Sequence, residues 1–268
     1  MQKKKILFYI TFILSFVVLG LLAILFIKNI MPIVHSYNCM KKDFENEFAS
    51  PFSVNKIVYF STANANSTIN QNSSFTINDL YQITDIAIFI NNNSNGNYTN
   101  KNTLKKVTLS DIDFNLAPNV GEPNLYYKNL YYFSKNIFDI NNKIDKAIEF
   151  ETTSESEIDF NSPVLYNNTA NPIALSYVNS NILTNYTLAD TISNLSYDGS
   201  LLKTCNITLN SISCKIAFNM IIENNLNEIY NCPMLLTMPL STENSTIYDG
   251  KLVLTDNVDY RFIKTNWP

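Results

Sequence analysis

Residues Ile212–Ile222 read ISCKIAFNMII. Ile212, Cys214, Ile216, Phe218, Met220 and Ile222 fall on one parity of this stretch, while Ser213, Lys215 and Asn219 fall on the other. Successive side chains of a strand point to opposite faces, so an apolar period of two predicts a half-buried strand. The rest of the chain beyond residue 50 repeats the theme. Short β-branched and aromatic runs alternate with Asn, Ser, Asp and Gly clusters: IVYF from Ile57, YQITDIAIFI from Tyr81, LKKVTL from Leu104, IEFE from Ile148, ALSYV from Ala174, MLLTMPL from Met234 and KLVLT from Lys251. This spacing predicts a mostly β domain over 51–268, an antiparallel sandwich of immunoglobulin-like or jelly-roll type, with room for a subdivision near Ser162. Asp198-Gly199 and Asp249-Gly250 read as hairpin turns, and Asn91 to Asn102 as a long exposed loop.

The chain has 268 residues, 46% of them hydrophobic, enough for a large core. Its formal charge is −4 and Arg261 is the only arginine, so the guanidinium forks that usually read phosphates and bases are missing. Nucleic acid is not an expected partner. The five glycines, Gly20, Gly96, Gly121, Gly199 and Gly250, are too far apart for a phosphate-cradling loop. Asparagine dominates the composition with 41 residues. Nine N-x-S/T sequons occur, at Asn66, Asn72, Asn92, Asn97, Asn167, Asn185, Asn194, Asn206 and Asn244. Chance alone yields about six or seven in so Asn-rich a chain, so they do not establish glycosylation.

Upstream of the β pattern, Lys3, Lys4 and Lys5 precede an unbroken apolar run from Ile6 to Ile27, ILFYITFILSFVVLGLLAILFI. At about 1.5 Å per residue the run is about 33 Å long, enough to cross a hydrocarbon core of about 30 Å. KNIMPIVHSYN follows, without a small-residue cleavage site or a lipobox, so the segment reads as an uncleaved signal anchor. Three lysines before the run against Lys28 after it predict a cytoplasmic tip (1–5), a transmembrane helix (6–27) embedded in the lipid bilayer, and an exported remainder. Ile33, Tyr37, Met40, Phe44 and Phe48 recur at helical spacing, which predicts an amphipathic stalk helix over 28–50, kinked at Pro32 and ending before Pro51. A membranous and then amphipathic N-terminal helix carrying a β-rich head resembles the architecture of type IV pilins and pseudopilins. The resemblance covers some fifty residues and implies a subunit of a pilus or secretion apparatus. The chain departs from that family in having no glycine before the apolar run and no glutamate near its start.

Four cysteines in a chain expected to be exported suggest disulfides. Cys205 and Cys214 lie on runs of matching parity around a turn near Asn210-Ser211, which would place both sulfurs on one face of a hairpin. The alternative is two buried free thiols. Elimination leaves Cys39 and Cys232 to tie stalk to head.

Glu149, Glu151, Glu155, Glu157 and Asp159 share parity in AIEFETTSESEIDF. Such a row could bind calcium, or serve a glycosidase if a second acid converges on it, but the solvated outer face of an edge strand explains it more simply. Asp111 and Asp113 form a similar, smaller pair. His35, the only histidine, lies near the expected membrane surface and far from any nucleophile, which disfavours histidine-based hydrolysis. NLYYKNLYYF brings together Tyr126, Tyr127, Tyr131, Tyr132 and Phe133, a candidate surface for stacking on sugars or docking protein. No cofactor is expected. The function expected is that of a membrane-anchored surface protein with a non-catalytic head for a protein or glycan partner or for envelope assembly. The alternatives are a pilin-like subunit and an anchored carbohydrate-active enzyme.

Overall fold

In the computed structural model, Ala49–Ile69 (β1) and Phe75–Asn91 (β2) form a long antiparallel hairpin, paired from Ser53 with Asn91 to Ile69 with Phe75. The structure describes residues 2–31, 33–34, 49–92, 99–128, 142–153, 164–166, 172–188, 192–238, 250–254 and 260–265. The hairpin turns at Asn70–Ser74, where Ser73 takes a left-handed φ of 64° and Asn70 Nδ2 donates to Ser74 Oγ at 2.8 Å. Small residues that can bond the local backbone accept such a turn most readily.

The remaining strands are Leu104–Leu116 (β3), Glu122–Tyr127 (β4), Lys143–Ile144 (β5), Ile148–Thr153 (β6), Val164–Tyr166 (β7), Ile173–Leu183 (β8), Tyr186–Thr187 (β9), Cys214–Asn224 (β10), Ile229–Met238 (β11), Gly250–Leu254 (β12) and Arg261–Lys264 (β13). They hydrogen-bond in the order β5-β4-β8-β2-β1-β13-β11-β10-β3-β6-β7, with β12 beside β1 and β9 beside β2. Among the described residues, the registered pairs are antiparallel except β6 with β7. Strands from opposite ends of this path nevertheless meet through their side chains. Phe114 on β3 contacts Tyr177 on β8 (6.4 Å between ring centroids), and Tyr127 on β4 contacts Phe150 on β6 (5.9 Å). The sheet is therefore folded over on itself as a sandwich, with one apolar core between its halves.

Of ISCKIAFNMII, the strand takes the part from Cys214 onward, which lines that core; Ile212 caps the preceding 3₁₀ turn and packs in a second cluster. Along β10, Cys214, Ile216, Phe218, Met220 and Ile222 are buried, while the residues between them are exposed or half-buried. Each run expected to be a strand contributes one among the described residues, the run from Ile212 starting it only at Cys214. A second, smaller apolar cluster gathers Ala63, Ala65, Ile77, Leu80, Ile182 and Leu188 with Leu201, Leu202 and Cys205. Between the two clusters the inward-facing residues turn polar: Ser61 pairs with Thr84 on the ladder, and Gln82 pairs with Ala63 and Asn179. Ser50–Pro268 forms one compact unit and Met1–Ala49 another.

Two local expectations change. Asp198-Gly199 does not turn a hairpin; it leads into a short helix, Ser200–Thr204 (α2), with Gly199 at the N-cap and the Asp198 carboxylate accepting from the Ser200 backbone N–H at 2.8 Å. In the N-terminal unit, Gln2–Leu25 (α1) runs into a π-helical turn at Phe26–Ile30, and Met31 and residues 33–34 remain helical. The stalk expected over 28–50 cannot keep that boundary, since Ala49 and Ser50 already belong to β1. Pro32 and residues 35–48 lie outside the described residues. Thr11–Lys28 has a mean hydropathy of 2.5 and no buried side chain, and is long and apolar enough to cross a membrane by length and composition.

Candidate functional site

The residues singled out in the sequence are scattered. Cys205 ends α2 in the smaller cluster, whereas Cys214 starts β10 in the main core. The hairpin expected between them is replaced by α2 and a 3₁₀ turn at Leu209–Ser211, and no bridge forms. Cys205, Cys214 and Cys232 are all buried free thiols, each pushed up to about 11 by burial. Cys39, its expected partner for Cys232, and His35 lie outside the described residues.

Glu149 and Glu151 are exposed on β6, which is flanked by β3 and β7 rather than forming the expected edge. Lys106 Nζ lies 3.0 Å from Glu149 Oε2, and Lys106 faces Glu151 in the β3–β6 register. An ammonium thus neutralises the position a cation would take; Glu155, Glu157 and Asp159 lie outside the described residues. Asp111 sits in a bulge of β3 with φ 54°, accepting from Asn219 Nδ2 at 3.0 Å, and Asp113 pairs with Ala217. Tyr127 is buried against Phe150, Tyr126 is half-buried, and Tyr131, Tyr132 and Phe133 are not described. Asn66, Asn72, Asn185, Asn194 and Asn206 are exposed, Asn92 is buried, and the other three sequons are not described.

What the fold does assemble is a buried charged cluster. β2 and β8 are covered on both faces: Gln82–Ile86 and Ile173–Asn179 are buried without interruption. One face of this pair lines the core, and on the other stand Asp85, Ser176 and, immediately after β4, Lys128. Lys128 Nζ donates to Asp85 Oδ2 and Ser176 Oγ donates to Asp85 Oδ1. The Lys128 and Asp85 side chains are only 5% and 10% exposed.

The backbone fixes the geometry. Ser176 is directly opposite Asp85 on the β2–β8 ladder, and the Lys128 N–H donates to the Ala174 carbonyl at 3.1 Å. The lysine therefore reaches across β8 to β2. Burying either charge alone would cost several kcal/mol, so each group requires the other. The sequence carried a signal for this pair: Asp85 is the only charge in YQITDIAIFI and Lys128 the only one in NLYYKNLYYF.

Neither family models, curated proteins nor solved structures match the chain. The cluster must therefore be read from its own chemistry. Two oppositely charged groups locked together with a hydroxyl on the second carboxylate oxygen make a fixed strut between three strands, with the donors of the lysine and serine both directed at one carboxylate.

Inside the sandwich, a second polar feature lies on the opposite face of β2. Both amide atoms of fully buried Gln82 have no hydrogen-bond partner among the described residues. Asn179 Nδ2 donates to the Val120 carbonyl at 3.0 Å. The Tyr177 hydroxyl is directed at the Cys214 thiol, and burial raises its titration above the ordinary tyrosine range. A thiol is a weak partner, and the hydroxyl has no conventional hydrogen bond.

Proposed function

We propose that this chain is a single-span membrane protein whose β-sandwich stands outside the cytoplasm and serves as a non-catalytic binding or envelope-assembly module. The observation that carries the reading is the pairing of an apolar, wholly exposed Thr11–Lys28 helix with a separate compact β unit. An isolated apolar helix of this length is stable in lipid and costly in water. Lys3, Lys4 and Lys5 ahead of it favour a cytoplasmic N-terminus. On the strands β1, β13 and β11, neighbours in the sheet order, Phe60, Ile263 and Leu235 are exposed apolar side chains that suit a protein or glycan partner.

The test is membrane fractionation of the full chain followed by protease treatment of intact cells. The expected result is a carbonate-resistant protein whose β unit is digested from outside, and release into the soluble fraction on deletion of residues 2–28. Full-length chain in the soluble fraction, or turnover of a glycan or peptide substrate by the purified protein, would overturn the reading. N-terminal sequencing of the mature protein separates a pilin-like subunit, which loses its lysine-rich tip, from the anchored form, which keeps it.

A further inference from the structure

We propose that Lys128 and Asp85 condense to an intramolecular amide, covalently tying the end of β4 to β2 across β8. Three features of the cluster meet what amide formation needs. The nucleophile already meets the carboxyl group: Lys128 Nζ donates to Asp85 Oδ2, one bond from the electrophilic Cγ, on side chains nine-tenths or more buried. Their approach is set by the ladder, which places Ser176 opposite Asp85 and anchors the Lys128 backbone to Ala174. Finally, the Ser176 hydroxyl is bonded to Oδ1, the oxygen that would become the amide carbonyl, leaving Oδ2 on the lysine side as the leaving group.

The step balances within the pair. One proton passes from the ammonium to the carboxylate, giving amine and acid and removing two charges from a site that water does not reach. The Nζ lone pair then bonds to Cγ, the Ser176 hydroxyl supporting the charge that gathers on Oδ1. A proton leaves Nζ for the Oδ2 hydroxyl, the Cγ–Oδ2 bond breaks, and one water departs. Nothing is oxidised or reduced and no co-reactant enters. Between free molecules in water this condensation is unfavourable. A pair held in reactive geometry has an effective concentration on the order of 10⁵–10⁸ M, which lowers the barrier to condensation, and loss of the water from a largely closed site favours the amide.

The consequence suits a sandwich whose described cysteines form no bridge. A cross-link from residue 85 to residue 128 restricts the unfolded chain as a disulfide would, and no reductant can open it.

The experiment is peptide mass spectrometry on the full chain extracted from membranes and digested with trypsin under denaturing conditions. The expected product is one branched species in which the Asp85 peptide is joined to the Lys128 peptide, uncleaved after Lys128 and lighter than their sum by one water. Lys128→Arg and Asp85→Ala are expected to give separate linear peptides at their sequence masses, and Ser176→Ala a mixture of joined and separate forms. The wild-type digest decides the matter without any variant having to fold. Linear wild-type peptides with normal cleavage after Lys128 would overturn the proposal. So would a water loss carried by the Asp85 peptide alone, with the Lys128 peptide present separately at its sequence mass. The outcome is independent of the fractionation test, since a soluble protein could carry the link and an anchored one could lack it.

Discussion

The Glu228 carboxylate lies 2.8 Å from the Lys264 ammonium and thereby ties the turn after β10 to the last strand, β13. The same carboxylate accepts from Asn224 Nδ2 at 2.8 Å and from the Tyr230 hydroxyl at 2.9 Å. Burial acts to raise its pKa, but the bonds from Lys264, Asn224 and Tyr230 outweigh it and hold the group at about 2, below its ordinary 4.5. Because the folded value is the lower one, the stabilisation is complete above 4.5 and is lost as pH falls toward about 2. Glu228→Gln is expected to cost about 1–2 kcal/mol at neutral pH. The difference in Tm between wild type and variant should shrink across that acid window. A gap independent of pH would show that the charge is not what stabilises the turn.

Gly121 has φ 90°, and a Cβ there would run into the Asn179 side chain. Gly121→Ala therefore combines backbone strain with the displacement of a buried amide that bonds the Val120 carbonyl. The expected loss is about 2–3 kcal/mol. Denaturant titration measures it, and an unchanged midpoint would mean that the loop before β4 can move aside.

Gln82 buries an amide with no partner among the described residues. Replacing it with the similarly shaped Met removes that penalty and should raise Tm by about 2–4 °C, the equivalent of about 1 kcal/mol in a domain of this size. A fall in Tm would reveal that the amide is satisfied in solution.

Cys205, Cys214 and Cys232 are buried thiols held well above the ordinary cysteine range. In a Cys39→Ser background, a thiol-specific reagent should leave native protein unlabelled and modify all three once guanidinium is added. Labelling without denaturant, or fewer than three modified sites after unfolding without reductant, would contradict this arrangement.

Much of the β architecture was legible because a strand's face is set locally. The alternation in ISCKIAFNMII follows from the pleat alone, and from Cys214 onward β10 buries the residues that alternation selects, while Ile212 packs in the smaller cluster outside the strand. YQITDIAIFI was legible as a strand but not as one covered on both faces, because the second cover comes from outside the segment. The cysteine pairing failed for a related reason. Parity compares two segments only if both are strands, and the chain after Asp198-Gly199 instead forms a helix that carries Cys205 into a different cluster. Lys128 and Asp85 each stood out as the lone charge of an apolar run, yet nothing in either run names the other.

By itself, then, the sequence determined the apolar N-terminal run, the three lysines ahead of it, and the β class of the rest. These depend on hydropathy and backbone geometry over a few neighbouring residues. Only the tertiary structure decided which strands face each other across the sandwich, that the described thiols stay free, and that Lys128 reaches over β8 to Asp85. Those outcomes depend on which strands become neighbours, and strand pairing joins residues far apart in the chain whose partners no local pattern encodes.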